Sequence, residues 1–261
     1  MFKIRTYNQI SDVGLSRLPL DRYEVGPEIE EPQALILRSH KLHGEPVPDS
    51  VVAIARASAG VNNIPVDDFT ARGVVVFNTP GANANAVKEI VTASLLLSSR
   101  GLLQGANRVQ EMTDIQEVDV MAKQMEKEKK AFGGGEIAGR TLGVIGLGAI
   151  GSLVANSALG LGMKVVGFDP ALSVEGAWRL SNQVEKMESL EALLKVSDFV
   201  TLHVPLNDDG PYATRHLANH AFFGAMKPGG VFINAARGEV MDTDAEGRLI
   251  LADALAWAAE S

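Results

Sequence analysis

In the first third of the chain, apolar residues fall into short β-branched runs separated by stretches with helical periodicity. The runs predict strands and the stretches predict helices, in the order strand 3–7, helix 12–18, strand 34–38, strand 52–57, helix 66–72 and strand 74–77. Strands that alternate with helices are typical of a parallel sheet covered by helices. This part of the chain is therefore predicted to be an α/β unit.

The middle of the chain does not continue this alternation of strands and helices. The segment NTPG at 78–81 combines proline and glycine and predicts a loop, after which a long helix is predicted at 85–101. A run of charges of both signs at 123–130 predicts a solvated helix face. The glycine-rich segment at 132–139 predicts a flexible joint into the next strand.

A second α/β series follows, with clearer strand and helix signals than the first. Its predicted elements are strand 141–146, helix 149–159, strand 164–169, helix 190–195, strand 199–204, helix 219–226, strand 231–234 and a last helix that starts near 243. Ser189 stands directly before one of these helices and is predicted to cap it. The order of the strands within each sheet does not follow from this pattern.

Three glycines in the pattern GLGAIG follow the first strand of this second series and open its first helix. Gly146 would permit a tight turn, Gly148 would let the backbone approach a pyrophosphate, and Gly151 would let the helix pack close to the strand. The free N–H groups of the helix N-terminus would face the phosphates. The motif therefore predicts a dinucleotide site, with the residues Gly146, Gly148, Ala149, Ile150 and Gly151.

The choice of dinucleotide is indicated by an acidic residue at the end of the next strand. Asp169 stands 18 residues after Gly151 and could accept hydrogen bonds from both hydroxyls of a ribose. A 2′-phosphate would be repelled there, and no arginine follows at once to receive one. The cofactor is therefore predicted to be NAD.

Two further signals follow predicted strands of the second series. Arg237 comes just after the strand 231–234, where parallel sheets bind ligands, and a guanidinium can grip a carboxylate with two parallel hydrogen bonds. Taken alone, Arg237 would more simply be interpreted as a surface charge. His203 ends the strand 199–204 and could be a catalytic acid, although a part in shaping the cofactor pocket is favoured.

Taken in order, these motifs make the chain resemble the D-2-hydroxyacid dehydrogenases, and most closely their D-3-phosphoglycerate dehydrogenase branch. The segments that carry the resemblance are ALILRSH at 34–40, ASAGVNNIPVDDFTARGVVVFNTPGANANAVKE at 57–89, GRTLGVIGLGAIG at 139–151, FDP at 168–170, SDFVTLHVPL at 197–206 and MKPGGVFINAARGEVMD at 226–242. The resemblance implies an α/β fold with a small flavodoxin-like substrate domain at 1–81. It also implies a Rossmann-type, doubly wound, parallel cofactor domain at 82–261, with both domains lacking their C-terminal elements.

The resemblance also implies roles for individual residues. Arg237 would bind the substrate carboxylate and orient the carbonyl group that is reduced. The other residues that match substrate contacts of the family are Arg38, Ser39, Gly60, Val61 and Asn83. The further residues that match cofactor contacts are His203, Val204, Pro205, Thr214 and Ala235, together with Arg237 itself.

One expected part of the family's machinery has no counterpart in this sequence. In the family, a His donates a proton to the carbonyl oxygen and a Glu orients that His. Both follow the Arg at positions that would lie beyond Ser261, and none of the five histidines holds that place. We therefore expect this chain to bind NADH but to turn substrate over slowly or not at all.

Composition excludes several other classes of function. The formal net charge of −8 argues against binding to duplex DNA or to an anionic membrane surface. The absence of cysteine excludes disulfides and thiolate zinc sites, and no metal site is expected at the i,i+4 pair His216 and His220. The N-terminal segment lacks the apolar stretch of a signal peptide, so a cytoplasmic protein is expected. By resemblance, the protein is expected to form a homodimer through its cofactor domain.

Three functions are consistent with these observations. The leading one is NAD-dependent oxidation of 3-phospho-D-glycerate to 3-phosphohydroxypyruvate, the first step of serine biosynthesis. A second is another D-2-hydroxyacid dehydrogenase, of the glyoxylate, hydroxypyruvate or D-lactate type. A third, of another class, is a non-catalytic scaffold that senses NAD(H), since relatives of this fold act as corepressors that assemble on NADH.

Overall fold

The computed structural model describes residues 1–113 and 115–242. The chain forms two compact units, the first spanning Met1–Asn83 and the second starting at Ala84. The domain boundary that we predicted between 81 and 82 lies two residues before this division. No helix among the described residues is long and apolar enough to cross a membrane.

The first unit is a five-stranded parallel sheet with the order β2-β1-β3-β4-β5. Its elements are β1 (Phe2–Thr6), α1 (Asp12–Leu15), β2 (Tyr23–Gly26), β3 (Ala34–Leu37), β4 (Ala53–Arg56), α2 (Val66–Ala71) and β5 (Val75–Phe77). The strand order 2-1-3-4-5 is that of the flavodoxin-like folds. The predicted fold of the small domain is therefore confirmed.

Alternate residues of the central strands form the core of this unit. Leu35 and Leu37 of β3 and Ile54 of β4 are buried in one cluster with Phe69 of α2. Such period-2 burial is why these strands could be predicted from the sequence. Strand β2 was missed because it lies at the sheet edge and buries none of its residues fully.

The second unit is also a five-stranded parallel sheet, with the order β10-β9-β6-β7-β8. Its strands are β6 (Thr141–Ile145), β7 (Lys164–Phe168), β8 (Glu185–Lys186), β9 (Phe199–Leu202) and β10 (Val231–Asn234). Its helices are α3 (Ala84–Ser99), α4 (Leu102–Glu111), α5 (Val118–Glu128), α6 (Ala149–Gly160), α7 (Val174–Trp178), α8 (Leu190–Val196) and α9 (His220–Ala225), with 3₁₀ turns at Lys129–Phe132 and Gly238–Val240. Numbered within the unit and read from β8, the order is 3-2-1-4-5, as in a Rossmann fold. The predicted doubly wound cofactor domain is confirmed.

Strand β6 lies in the centre of this sheet and is covered on both faces. Leu142 and Val144 pack in one cluster with apolar residues of α3 and α6, while Ile145 packs in a second cluster with residues of α8 and α9. A continuous apolar run is expected of a parallel strand that is buried on both sides. This burial fixes the end of β6, and with it the start of the glycine turn.

Several local predictions need correction. The helix predicted at 12–18 ends at Leu15, and the strand predicted at 199–204 ends at Leu202. Helices α4 and α7 and strand β8 were not predicted, because α7 and β8 are short and α4 buries none of its residues. The predicted cap at Ser189 is confirmed, since its hydroxyl accepts a hydrogen bond from the Ala192 N–H at 3.1 Å. The helix predicted from 243 lies outside the described residues.

The glycine-rich segment 132–139 is not the flexible joint that we predicted. A Cβ on Gly134 would lie 2.0 Å from the Ser99 carbonyl oxygen, and one on Gly101 would lie 2.9 Å from the Phe132 Cα. The backbone N–H of Gly135 donates to that same Ser99 carbonyl at 3.0 Å. Glycine occurs at 101 and 134 because two chain segments pass too close there for a side chain. The segment 132–139, although mostly exposed, is thus a strap held against residues 99–101.

Candidate cofactor and substrate sites

The turn from β6 into α6 requires glycine at its first position. Gly146 has a φ of +86°, a conformation that L side chains rarely adopt. A Cβ there would also lie 2.7 Å from the carbonyl oxygen of His203, which follows β9. The tight turn predicted for Gly146 is therefore present, and it lies against the end of the neighbouring strand.

The other two glycines of the motif differ from each other in their surroundings. A Cβ on Gly151 would lie 1.9 Å from the Gly146 carbonyl oxygen, so α6 approaches the turn as closely as backbone permits. A Cβ on Gly148 would meet no protein atom within 4 Å. Gly148 therefore faces open space at the N-terminus of the twelve-residue helix α6, where unpaired N–H groups favour an anion. These residues fit the pyrophosphate of a dinucleotide.

Asp169 connects the end of β7 to the glycine turn. Its Oδ2 accepts a hydrogen bond from the Leu147 N–H at 2.8 Å, and its Oδ1 accepts one from the Ala171 N–H at 2.9 Å. A carboxylate has about four lone-pair sites, so both oxygens can still accept from hydroxyl groups. The half-buried Asp169 thus has the capacity that a ribose diol needs.

His203 is a neutral histidine in this structure. Burial lowers the pKa of His203 to about 3, so its ring carries no charge at neutral pH. Nε2 lies 3.0 Å from the Thr201 hydroxyl, and Nδ1 is buried without a partner among the described residues. These surroundings favour a part in shaping the pocket over that of a proton donor, as the sequence had suggested.

The segment after His203 is closed by Thr214. The Thr214 hydroxyl donates to the Pro205 carbonyl at 2.5 Å and accepts from the Asn207 N–H at 2.8 Å. Thr214 thereby holds the backbone of residues 205–207 in place, and its one hydroxyl proton is donated to the Pro205 carbonyl. Val204 packs against the second core cluster, and Pro205 is exposed.

The loop after β10 is held by a buried asparagine. Asn234 accepts a hydrogen bond from the Ala236 N–H at 3.0 Å through Oδ1 and donates one to the Arg237 carbonyl at 2.8 Å through Nδ2. Arg237 is half-buried, and its Nη1 donates to the Ala236 carbonyl at 2.9 Å. No acidic side chain among the described residues pairs with the guanidinium, so most of its N–H groups remain available to a carboxylate.

In the first unit, the loop after β3 is held through its backbone. Asn8, at a φ of +62°, accepts hydrogen bonds from the N–H groups of Ser39 and His40 at 2.9 and 2.8 Å. The Arg38 carbonyl accepts one from Nε of the buried Arg56 at 3.0 Å. The half-buried Arg38 side chain and the exposed Ser39 are thus presented at the carboxyl end of β3.

The other substrate residues predicted in the first unit follow β4 or lie at the end of the unit. Gly60 and Val61 are half-buried and follow β4, and the Val61 carbonyl accepts a hydrogen bond from Ile64 N–H at 2.9 Å. Asn83 is exposed at the end of the unit. Their part in substrate binding stays a prediction.

Within each unit, the predicted residues gather at the carboxyl edge of the sheet. In the second unit they follow β6, β7, β9 and β10, and the strand order reverses between β6 and β9. In the first unit, the residues at 38–39 and 60–61 follow β3 and β4, beside Asn8 after β1, whereas Asn83 follows the edge strand β5. Open α/β sheets bind ligands at this edge, at the point where the strand order reverses. Asn234 and Asn8 were not predicted as site residues. Both hold the backbone of a loop in place, and the sequence does not show how that loop bends.

The comparison with known families agrees with this geometry. Residues 100–259 match the family model described as the D-isomer specific 2-hydroxyacid dehydrogenase NAD binding domain. The chain belongs to the D-2-hydroxyacid dehydrogenase family. The expected family and its expected NAD-binding domain are thereby confirmed, whereas the roles of single residues stay predictions.

Individual relatives show how much of the family's length this chain represents. It is 38% identical over 192 residues to the hydroxypyruvate reductase of Thermotoga maritima, an alignment that covers 74% of this chain and 55% of the relative. It is 33% identical over 233 residues to the D-3-phosphoglycerate dehydrogenase of Methanocaldococcus jannaschii, covering 87% of this chain and 40% of the relative. The chain thus spans about half the length of the curated relatives that it matches.

A solved structure supports the same assignment. The crystal structure of D-lactate dehydrogenase from Aquifex aeolicus complexed with NAD and lactic acid matches with a TM-score of 0.70 and 26% identity. The match covers 94% of this chain and 72% of that one. The fold of the family is therefore present over nearly the whole of this chain.

Proposed function

We propose that this chain is the cofactor- and substrate-binding part of an NAD-dependent D-2-hydroxyacid dehydrogenase. The observation that carries the proposal is the edge of the second sheet, where the open Gly148 turn and Asp169 fit a dinucleotide. At the same edge, Arg237 offers a guanidinium that has no acidic partner among the described residues. The reaction would interconvert a D-2-hydroxy acid and its 2-keto acid. The nicotinamide cofactor would accept or supply the hydride.

The residues of the glycine turn and the ends of the neighbouring strands would hold the cofactor. The N–H groups of Ala149, Ile150 and Gly151 would donate to the pyrophosphate, and Asp169 would accept from the ribose hydroxyls. The residues of the adjoining strand ends that would line the rest of this site are His203, Val204, Pro205, Thr214 and Ala235.

Arg237 would bind and orient the substrate. A guanidinium grips a carboxylate with two parallel hydrogen bonds, which fixes the direction of the neighbouring carbonyl group. Asn234 supports this role, because it holds the backbone on both sides of Ala236. Arg237 would also contact the nicotinamide end of the cofactor.

We propose 3-phospho-D-glycerate as the substrate, with oxidation to 3-phosphohydroxypyruvate as the first step of serine biosynthesis. The relative from Methanocaldococcus jannaschii is named for this substrate. In the first unit, Arg38 would bind the phosphate with help from Ser39, Gly60, Val61 and Asn83. The name of the Thermotoga maritima relative supports hydroxypyruvate as a second candidate, and binding that ignores the phosphate would favour it.

The proposed setting is a cytoplasmic homodimer. Helices α4 and α5 bury none of their residues, and they expose apolar side chains such as Leu102, Leu103, Val109 and Val120. A second copy that covered these residues would remove apolar surface from water. Sedimentation velocity of the chain would test this, and a monomer at micromolar concentration would contradict it.

We also propose that turnover by this chain is slow. Reduction of a keto acid needs a proton donor, and His203 is neutral because burial lowers its pKa to about 3. An NADH titration beside an assay of NADH consumption with 3-phosphohydroxypyruvate tests both statements. We expect binding with little consumption, and turnover at ordinary enzyme rates would contradict the proposed impairment.

A rival of another class is a scaffold that senses NAD(H) without catalysis. It would bind NADH equally well, so the cofactor titration does not separate the two. Binding of 3-phospho-D-glycerate that is lost in Arg237→Gln favours the dehydrogenase. If the unaltered chain does not bind 3-phospho-D-glycerate and self-associates when NADH is present, the scaffold is favoured.

A further inference from the structure

His40 is fixed in place by two side chains from other parts of the first unit. Its Nε2 lies 2.5 Å from Oε2 of Glu45. Its ring stacks on the ring of Tyr7, with centroids 4.2 Å apart and planes inclined by 20°. The Tyr7 hydroxyl in turn donates to Oε1 of Glu45 at 3.3 Å. His40, Glu45 and Tyr7 thus form one closed cluster, which we call the His40 cluster.

The backbone of His40 is held as firmly as its ring. Asn8 Oδ1 accepts a hydrogen bond from the His40 N–H at 2.8 Å, and Asn63 Nδ2 donates to the His40 carbonyl at 2.7 Å. Asn63 is buried, and Asn8 adopts a φ of +62°. Such support on every side is how binding sites fix the position of a contact group before the ligand arrives.

One nitrogen of the fixed ring remains open. The His40 side chain keeps 32% of its surface exposed, and its Nδ1 has no hydrogen-bond partner among the described residues. A carboxylate on one ring nitrogen orients the ring so that the other nitrogen faces a different group. When the ring is protonated, both N–H groups donate, one of them to Glu45 and the other to whatever lies at Nδ1.

The sequence on either side of His40 carries positive charge that suits an anion. Arg38 and Lys41 flank His40 within four residues of chain, and neither forms an ion pair within the described part of the protein. The one carboxylate of the cluster, that of Glu45, already accepts from both Tyr7 and His40. A phosphate monoester carries nearly two charges and three acceptor oxygens, more than one guanidinium satisfies.

We propose that His40 is a specificity-determining residue that binds the phosphate of a phosphorylated 2-hydroxy acid together with Arg38. The protonated ring of His40 donates its Nε2 proton to Glu45 and its Nδ1 proton to a phosphate oxygen, while Glu45 and Tyr7 position the ring. This rests on the proposed function for the substrate class, and it adds a recognition group that the family resemblance does not supply. An imidazole held in this way selects substrates that carry the phosphate over those that lack it.

The test compares two ligands on the full chain by isothermal titration calorimetry. The ligands are 3-phospho-D-glycerate and D-glycerate, which differ only in the phosphate, and the variants are His40→Gln and His43→Gln. His43 is the matched control, because it lies on the same loop and its Nε2 has a hydrogen-bond partner in the Asn62 carbonyl at 3.0 Å, away from the His40 cluster. Loss of a charge-assisted hydrogen bond weakens binding by about tenfold.

We expect His40→Gln to weaken binding of 3-phospho-D-glycerate by about tenfold and to leave D-glycerate unchanged, with His43→Gln unaltered for both. Equal affinity of His40→Gln and the unaltered chain for the phosphorylated ligand would overturn the proposal. So would an equal loss for both ligands, or tighter binding of the dicarboxylate D-malate than of 3-phospho-D-glycerate. Inorganic phosphate should also shift the NMR signals of the His40 ring, and an unchanged ring signal at saturation counts against the proposal.

Thermal unfolding and an NADH titration separate a loss of phosphate binding from a loss of folding or of cofactor binding. Thermal unfolding shows whether His40→Gln folds, and if it does not, Glu45→Gln is used, which keeps His40 but removes the charge that orients it. An NADH titration of each variant separates this proposal from the proposed function. Failure of the unaltered chain to bind NADH contradicts the dehydrogenase assignment, whereas loss of phosphate selectivity alone contradicts the role of His40.

Discussion

The carboxylate of Asp169 accepts a hydrogen bond from the backbone N–H of Leu147 at 2.8 Å. Leu147 belongs to the glycine turn, whereas Asp169 directly follows the next strand, β7. The residue that we expect to receive the ribose therefore also holds the loop that we expect to receive the pyrophosphate. Loss of the carboxylate should affect both parts of the cofactor site at once.

Asp169→Ala is expected to weaken NADH binding by at least about tenfold and to destabilise the fold by about 1 kcal/mol, because two backbone N–H groups lose their acceptor. Fluorescence titration with NADH and urea unfolding measure the two effects. Glu185→Gln, at the exposed edge strand β8, is the control and should change neither. Unaltered NADH affinity in Asp169→Ala would remove this residue from the cofactor site.

Alanine at positions 148 and 151 should affect two different properties, NADH binding and stability. Gly151→Ala places a methyl group against the Gly146 carbonyl and should lower the free energy of unfolding by about 3 kcal/mol. Gly148→Ala meets no protein atom, so the fold should stay intact while NADH binding falls by more than about tenfold. Gly224→Ala in α9, also without a neighbour within 4 Å, is the control for both measurements. Normal NADH binding by a folded Gly148→Ala would show that no cofactor approaches this position.

Asn234 is expected to act on substrate binding through the loop that carries Arg237. Asn234→Ala leaves the partly buried Ala236 N–H and Arg237 carbonyl without their partner and should cost about 1–3 kcal/mol of stability. It should also weaken binding of 3-phospho-D-glycerate. Asn156 offers a matched control, since its amide makes the same two kinds of hydrogen bond, to Arg179 and Ser181.

Calorimetry and urea unfolding of both variants separate the two effects. Asn156→Ala should lose stability without losing affinity for 3-phospho-D-glycerate. If both variants lose affinity equally, Asn234 has no special part in positioning Arg237. Partial recovery in Asn234→Asp, which keeps the acceptor for the Ala236 N–H, would support the positioning role.

His203 should make stability depend on pH. Burial lowers its pKa from 6.5 to about 3, so the unfolded chain takes up a proton before the folded chain does. The contribution of the neutral His203 ring to the free energy of unfolding is fully present above pH 6.5. It diminishes as pH falls from about 6.5 toward 3. Urea unfolding between pH 8 and pH 4 should show a smaller decline in His203→Gln than in the unaltered chain. His220→Gln, an exposed residue at the start of α9, should leave the decline unchanged, and an equal decline in His203→Gln would contradict the assignment.

The parts of the fold that could be predicted are those that the core determines. Strand β6 is buried on both faces and reads as an unbroken apolar run, and Gly146 and Gly151 stand where backbone leaves no room for a side chain. Edge strands β2 and β8 bury no residue fully, so burial left no periodic signal in their sequences. Helix α4, which also buries no residue, was not predicted, whereas part of α5 was predicted as a charged helix face at 123–130.

The candidate site shows a similar division. Residues that would touch a ligand, such as Asp169 and Arg237, follow predicted strands and could be located by that rule. Residues that hold those groups could not, because Asn234, Asn8 and Tyr7 act through contacts between segments that are far apart in sequence. The glycine-rich strap was misread for this reason too, since composition alone does not distinguish a loose glycine segment from a crowded one.

The strap also bears on how this family can change its length. Ser99 and Gly101, which precede α4, meet Phe132 and Gly135, which follow α5, so the excursion through the two helices leaves and rejoins the domain at one place. Residues could be inserted or deleted inside such a closed excursion while its two ends keep their hydrogen bonds. Evolution, or a protein engineer, could therefore exchange this hairpin as a cassette without moving the strands that carry the glycine turn.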